Sequence, residues 1–168
     1  QYWHAAGVRF AVWLLVDPER LAVEELRVLL DDIGRAGHGR DASIGLGKFS
    51  LGALVETPLP TQSAANACLT LAPCAPQGLG CDPQRSFYEL FTRFGRHGDA
   101  AVLSGRPFKS PVLLAQTGAL LTPPTLPTAG FIGQGLGGDG HLSNAIPATV
   151  QQGYAPCVGV HLPPEAQP

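Results

Sequence analysis

Hydrophobic and polar positions along this chain alternate in short bursts, with one longer exception near the start. Leu26, Leu29, Leu30 and Ile33 recur at i, i+3, i+4 and i+7, while Glu24, Glu25, Arg27, Asp31 and Asp32 fall on the other side. That period predicts an amphipathic helix. Asp17-Pro18 supplies a candidate N-cap and first helical residue, and Gly34 or Gly37 a C-cap. Upstream, residues 7–16 (GVRFAVWLLV) are β-branched and aromatic, alternating at first and then continuously apolar. They predict a central strand buried on both faces at its end. Downstream, Phe49, Leu51, Ala53 and Val55 alternate with Lys48, Ser50, Gly52 and Leu54, predicting a half-buried strand over 48–56.

Pro58 and Pro60 break that strand, and the remaining pattern is all short and β-like. Residues 66–71 (NACLTL) predict a strand, and 73–83, with three prolines, a loop. Residues 87–93 (FYELFTR) suit a strand or a short helix; threonine, tyrosine and two phenylalanines favour the strand. Residues 112–121 predict one or two strands around Gly118, 123–127 a proline spacer, and 154–162 a last strand. On that strand Cys157, Gly159 and His161 face opposite to Val158 and Val160. The order strand, helix, strand, strand is the front of an α+β, ferredoxin-like unit. No internal repeat of fixed period is present.

Composition narrows the function classes. With 168 residues the chain suits a single domain with a real core, and 45% apolar against 14% charged residues excludes a disordered charged tail. The net charge of −2 does not by itself announce a nucleic-acid binder. Its distribution says more: all eleven Lys and Arg lie within residues 9–109, and the tail is neutral and rich in glycine and proline. The longest uninterrupted apolar run, 10–16, is far below the roughly 20 residues a membrane span needs. Four cysteines, at 68, 74, 81 and 157, match no common zinc spacing, so reduced thiols of a cytoplasmic protein, with no metal and no cofactor, are expected. There is no methionine and the chain begins at Gln1, which suggests a piece of a longer protein.

The densest chemistry lies in residues 34–49, GRAGHGRDASIGLGKF. Five glycines are interleaved there with Arg35, Arg40, Lys48 and His38. Glycine lets a ligand approach the main chain, and successive N–H groups form anion-binding concavities. A phosphate-binding P-loop is excluded, because Gly47-Lys48 is followed by Phe49 and position 42 is alanine. A dinucleotide fingerprint is excluded by order, since here a helix precedes the loop and a strand pattern follows it. Phosphate on a polymer is the better match; a plain flexible turn is the structural alternative.

A second cluster, 133–140 (GQGLGGDG), contains G-x-G-x-x-G at Gly135, Gly137 and Gly140, but no helix follows and no cation is near in sequence. Close approach of backbone to a ligand, or to the first glycine loop, explains it better than dinucleotide binding, with a plain flexible connector as the structural alternative. Arg93 and Arg96, within RFGRH, together with Arg106 and Lys109, form a basic group suited to phosphates, with a charged, solvated face as the alternative. Phe94, Phe108, Phe131 and Tyr154 are candidates for stacking on bases, although core packing explains the first three equally well. Catalytic patterns are thin. Five scattered histidines pair with no nucleophile motif, and His38 is the one candidate general base for RNA cleavage, with a plain donor role as the alternative.

These residues resemble a known family. GHGRDASIGLGKF after a helix is similar to the glycine-rich loop of the RAMP superfamily of CRISPR proteins, built from ferredoxin-like (RRM-type) domains. The tail GQGLGGDGHLSNAIPATVQQGYAPCVGVHL resembles, more narrowly, the end of the fourth-subunit family of type III-A Csm effector complexes. The resemblance spans about residues 7–56 and 128–162. It implies a non-catalytic, cytoplasmic subunit that grips the 5′ repeat-derived tag of the guide RNA and contacts the large polymerase-domain subunit and the first backbone subunit. By position it places Gly37, His38, Gly39, Arg40, Ser43, Gly45, Gly47 and Lys48 along the RNA. Gly135, Gly137, Gly138 and the Gln152-Gly153-Tyr154 turn are expected nearby. Ala42 stands where relatives often carry a cation, which removes one phosphate contact. The implied first ferredoxin-like domain would precede Gln1. The functional alternative is a metal-independent endoribonuclease that matures the guide RNA.

Overall fold

The computed structural model of the chain describes residues 9–39, 41–97 and 105–164, with Ser43 by its backbone only. The chain forms two compact units, Gln1–Thr57 and Pro58–Pro168. The described residues mix one long α-helix with short strands, an α+β composition.

In the first unit, α1 spans Val23–Ala36. It starts five residues later than Asp17-Pro18 predicts. Asp17 instead closes a separate turn: its Oδ1 accepts the Glu19 N–H at 3.0 Å, and its carbonyl accepts the N–H groups of Arg20 and Leu21. An aspartate bonded to the backbone two residues on offers the chain an alternative to helix. The helix then begins at Ala22 with no side-chain cap, and Glu24 and Glu25 in its first turn meet the positive end of its dipole. Gly37 ends it as expected, at φ 99°, with its N–H on the Ile33 carbonyl.

Both strands expected in this unit fail to form. Residues 9–16, the described part of the first, and 48–56 are extended or irregular, with no strand assignment. Alternating side chains make a strand only when a neighbouring backbone completes the ladder. Val12, Trp13 and Val55 are accordingly more than three-quarters exposed.

The second unit is antiparallel β throughout. Its strands are β1 (Ala67–Thr70), β2 (Leu90–Arg93), β3 (Val112–Ala115), β4 (Leu120–Leu121), β5 (Phe131–Gly133), β6 (Leu136–Gly137), β7 (Val150–Gln151) and β8 (Tyr154–Val160). Four of them build one sheet in the order β4-β1-β8-β5, while β2–β3 and β6–β7 are two-stranded ribbons. The strands expected over 66–71, 87–93, 112–121 and 154–162 are therefore present. The glycine-containing strands β5 and β6, and the short β7, were not foreseen.

Two apolar clusters hold this unit. Cys68, Ala119, Leu121, Ile132, Ala155 and Cys157 pack under the four-stranded sheet with Cys74 and Ala115. Val112 and Leu114 of β3 pack with Ala75 and Leu142, against Phe91 and Leu136. Polar groups inside are matched. Thr70, 1% exposed, accepts the Ala119 N–H through Oγ1 at 3.0 Å. Asn66 extends β1 by a side chain that gives and takes one hydrogen bond with the backbone of Leu162. No helix among the described residues is long and apolar enough to cross a membrane.

Candidate nucleic-acid interface

The β2–β3 ribbon runs past its strand ends and changes register there. Arg93 pairs with Val112, but Arg96 pairs with Phe108. Three steps on one strand thus face four on the other, the signature of a β-bulge. The extra residue falls at Ser110-Pro111, where proline has no N–H to leave unpaired. Ser110 fixes the bulge by sending its N–H to the Leu142 carbonyl and its hydroxyl to the His141 carbonyl, at 2.8 and 2.9 Å. Beyond it, Lys109 N–H bonds Gly95 and His97 N–H bonds Pro107.

The consequence is an exposed basic and aromatic surface. Phe94 is 76% and Phe108 71% exposed, so core packing accounts for neither. Arg93 and Arg96 are exposed, and the Arg96 guanidinium lies 5.8 Å from the centre of the Phe108 ring. A cation held over an aromatic face is the pairing that single-stranded nucleic acid binders use for phosphate and base together, and Phe94 is exposed two residues from Arg96. Arg106 is also exposed, and Lys109 is half-buried against Gly95. Phe131, by contrast, is half-buried in β5, as core packing foresaw.

A buried pair fixes the end of this ribbon. His97 is 8% exposed and its Nε2 lies 2.7 Å from Ser143 Oγ. That oxygen already accepts the N–H groups of Ala145 and Ile146. With both lone pairs of that oxygen engaged, the serine hydroxyl is placed to donate to Nε2 in the tautomer that leaves that nitrogen bare. Through Ser110, His97 and Leu142 the ribbon is tied to the glycine-rich tail.

In that tail, Gly135 faces open space, Gly137 packs its bare Cα against Leu142 and the Thr149 carbonyl, and Gly138 sends its N–H to the same carbonyl. Gly133 pairs with Tyr154, which opens β8 and is 48% exposed. The structure thus gathers Arg93, Arg96, Gly135, Gly137, Gly138 and Tyr154 in one unit, linked by these pairings. Phe94 and Phe108 are the members whose role sequence left ambiguous, since exposure has no signature in a short apolar run.

The first glycine loop belongs to the other unit and folds back on itself. His38 N–H bonds the Gly47 carbonyl, and Phe49 N–H bonds the Gly34 carbonyl, joining two limbs around a single 3₁₀ turn, Ala42–Ile44. A Cβ on Gly47 would overlap the His38 carbonyl, so this glycine serves close backbone approach and not a ligand. Gly39 and Gly45 have nothing within 4 Å of a notional Cβ and face outward. Amides of His38, Ala42, Ile44, Gly45, Leu46 and Phe49 are bonded within the loop, and that of Gly37 to Ile33 of the helix. Those of Gly39, Asp41, Gly47 and Lys48 make no hydrogen bond among the described residues. His38 and Lys48 are exposed; Ser43 lies in the turn, and Arg40 lies outside the described residues. About half of the expected amide cradle is therefore already occupied by protein.

Comparison with protein-family models, curated proteins and solved structures gives no match. The chemistry of these surfaces rests on their own geometry. The two offer phosphate-compatible donors and, on the ribbon, flat apolar faces. The exposed His38 has only its backbone engaged among the described residues.

Proposed function

We propose that this chain is a non-catalytic RNA-binding subunit of a type III CRISPR ribonucleoprotein, holding the 5′ repeat-derived tag of the guide RNA. The observation that carries the RNA part is the bulged ribbon, with Phe94 and Phe108 in solvent beside Arg93 and Arg96. Bases stack on the rings, and the guanidinium groups meet the phosphates. Gly39 and Lys48 of the first loop add backbone and ammonium donors. The tag, the CRISPR assembly, the large and backbone subunits as partners and the cytoplasmic setting follow the family resemblance of the two glycine-rich segments. So does a ferredoxin-like, RAMP-type domain as the second half of a longer protein, a fold supported by the four-stranded antiparallel sheet with β1 and β8 at its centre.

The test is a titration of single-stranded RNA bearing the repeat tag, against the wild type and Arg93→Ala/Arg96→Ala, across a range of salt. Each phosphate contact on a single strand contributes about 0.7 to the slope of log K against log salt. The double variant is expected to lower that slope by about 1.4. A slope that does not change removes the ribbon from the RNA surface.

A further inference from the structure

The β2–β3 ribbon has two edges, and among the described residues only one is closed. Odd-numbered residues of β2 turn their backbone toward β3. The Gln116 N–H reaches the Glu89 carbonyl, and the pairs Phe91–Leu114 and Arg93–Val112 continue the hydrogen-bonded rows. Past the bulge the same parity holds, with Lys109 N–H on Gly95 and His97 N–H on Pro107. On the far side of β3, Ala115 exchanges both backbone hydrogen bonds with Cys74, and the Leu113 carbonyl accepts the Gln77 side-chain amide at 2.8 Å. On the far side of β2, Leu90, Thr92, Phe94 and Arg96 direct their N–H and C=O groups outward, where no backbone meets them among the described residues. All four residues are exposed.

An open edge of this kind is a template for another strand, and folded proteins blunt it with proline, lysine or a bulge in the edge strand itself. Residues 88–96 (YELFTRFGR) carry neither proline nor lysine, and the bulge lies on the covered side of the ribbon, at Ser110-Pro111. Charge then selects what pairs. Glu89 and Arg93 are both exposed, and neither makes an ion pair among the described residues. Antiparallel pairing of the edge with itself sets even positions opposite even ones, so that the outward groups meet. With the two-fold axis at Phe91, Glu89 falls opposite Arg93 twice, Tyr88 opposite Phe94 twice and Leu90 opposite Thr92 twice. Moving the axis by one residue loses both ion pairs. Moving it by two sets Arg93 opposite Arg93, or Glu89 opposite Glu89.

We propose that two copies of this chain join along the outer edge of β2, antiparallel about a two-fold axis at Phe91, making one four-stranded sheet from two ribbons. Each copy offers this edge once, and the pairing is isologous, so the assembly closes at two. The contact uses outward backbone groups and the side chains beside them, among them the exposed Tyr88 and Leu90. It needs no RNA, and it stands or falls apart from the RNA reading of the ribbon.

Sedimentation velocity on the full chain without RNA, at concentrations from about 1 to about 300 μM, reads the association directly. A monomer–dimer equilibrium is expected. Glu89→Arg and Arg93→Glu, each alone, replace two attractions by two repulsions and are expected to raise the dimer Kd roughly tenfold. Glu89→Arg/Arg93→Glu exchanges the partners and is expected to restore the wild-type Kd. Thr92→Pro removes an outward N–H and no bond to β3, so a monomer with an unchanged far-ultraviolet circular dichroism spectrum is expected. Should Thr92→Pro unfold, the charge reversals decide. A chain that stays monomeric to the top of the range overturns the proposal. So does a dimer that a folded Thr92→Pro leaves intact, one that neither single reversal weakens, or one that the double reversal fails to restore.

Discussion

Replacing Phe94 by alanine separates an RNA-stacking ring from a packing ring. A fully buried phenylalanine stabilises a fold by about 1.5–3 kcal/mol. Phe94 is 76% exposed, so roughly a quarter of that, near 0.5 kcal/mol, is at stake. In the second unit, 58–168, such a loss lowers Tm by about 2–4 °C. Stacking on a base is worth about 1–3 kcal/mol, a 5- to 150-fold change in Kd. Phe94→Ala is therefore expected to leave thermal unfolding nearly unchanged and to weaken single-stranded RNA binding at least fivefold. Phe108→Ala is expected to lose more, because it also removes the face under Arg96. Scanning calorimetry and fluorescence anisotropy on the same samples give both numbers. A Tm drop above about 10 °C with unchanged Kd would refute the reasoning, since the ring would then be core.

Three other perturbations probe the framework. Leu114→Ala removes a side chain with no exposure and is expected to destabilise the second unit by about 3–5 kcal/mol in urea unfolding. Gly47→Ala drives a Cβ into the His38 carbonyl at a φ of 73°, so limited proteolysis between Arg35 and Lys48 is expected to accelerate; Gly39→Ala, at a φ of 99° but with open space around it, adds backbone strain without the clash and is expected to change that rate less. Burial pushes the Cys74 thiol up to about 11 from 9.0, with the nearby Cys81 adding to it. The unfolded chain therefore ionises this group first, and its contribution to stability, complete below pH 9, is expected to fall between pH 9 and 11 in denaturant titrations; Cys74→Ala is expected to make that fall smaller and leave the part due to Cys68 and Cys81, which are raised as well.

Sequence pattern carried the second unit further than the first. The strands over Ala67–Thr70, Leu90–Arg93 and Tyr154–Val160 were legible because β-branched and aromatic residues there meet partners that complete their ladders. Residues 48–56 alternate as cleanly, yet beyond the bond from Phe49 to Gly34 no backbone ladder forms on them among the described residues, and partners are invisible to periodicity. The strands β5 and β6 were hidden for the opposite reason: Gly133 and Gly137 occupy part of each, and two or three residues hold no period. Asp17 shows how one side chain serves either a cap or a turn, with the choice made by the bonds around it. In the candidate site, Arg93 and Arg96 were readable as cations, but the solvent position of Phe94 and Phe108 depends on a bulge at Ser110-Pro111 that no local rule announces. The glycines of 34–49 were readable as special, yet Gly47 answers to a facing carbonyl and not to a ligand.

Ultraviolet cross-linking of repeat-tag RNA to the protein, followed by peptide mapping, tests the RNA surface most directly, because a stacked base transfers its label to the ring beneath it. Cross-links at Phe94 and Phe108, lost in Arg93→Ala/Arg96→Ala, are the predicted result. RNA that is not retained even at low salt, or that cross-links only outside the ribbon and the two glycine-rich segments, would contradict it.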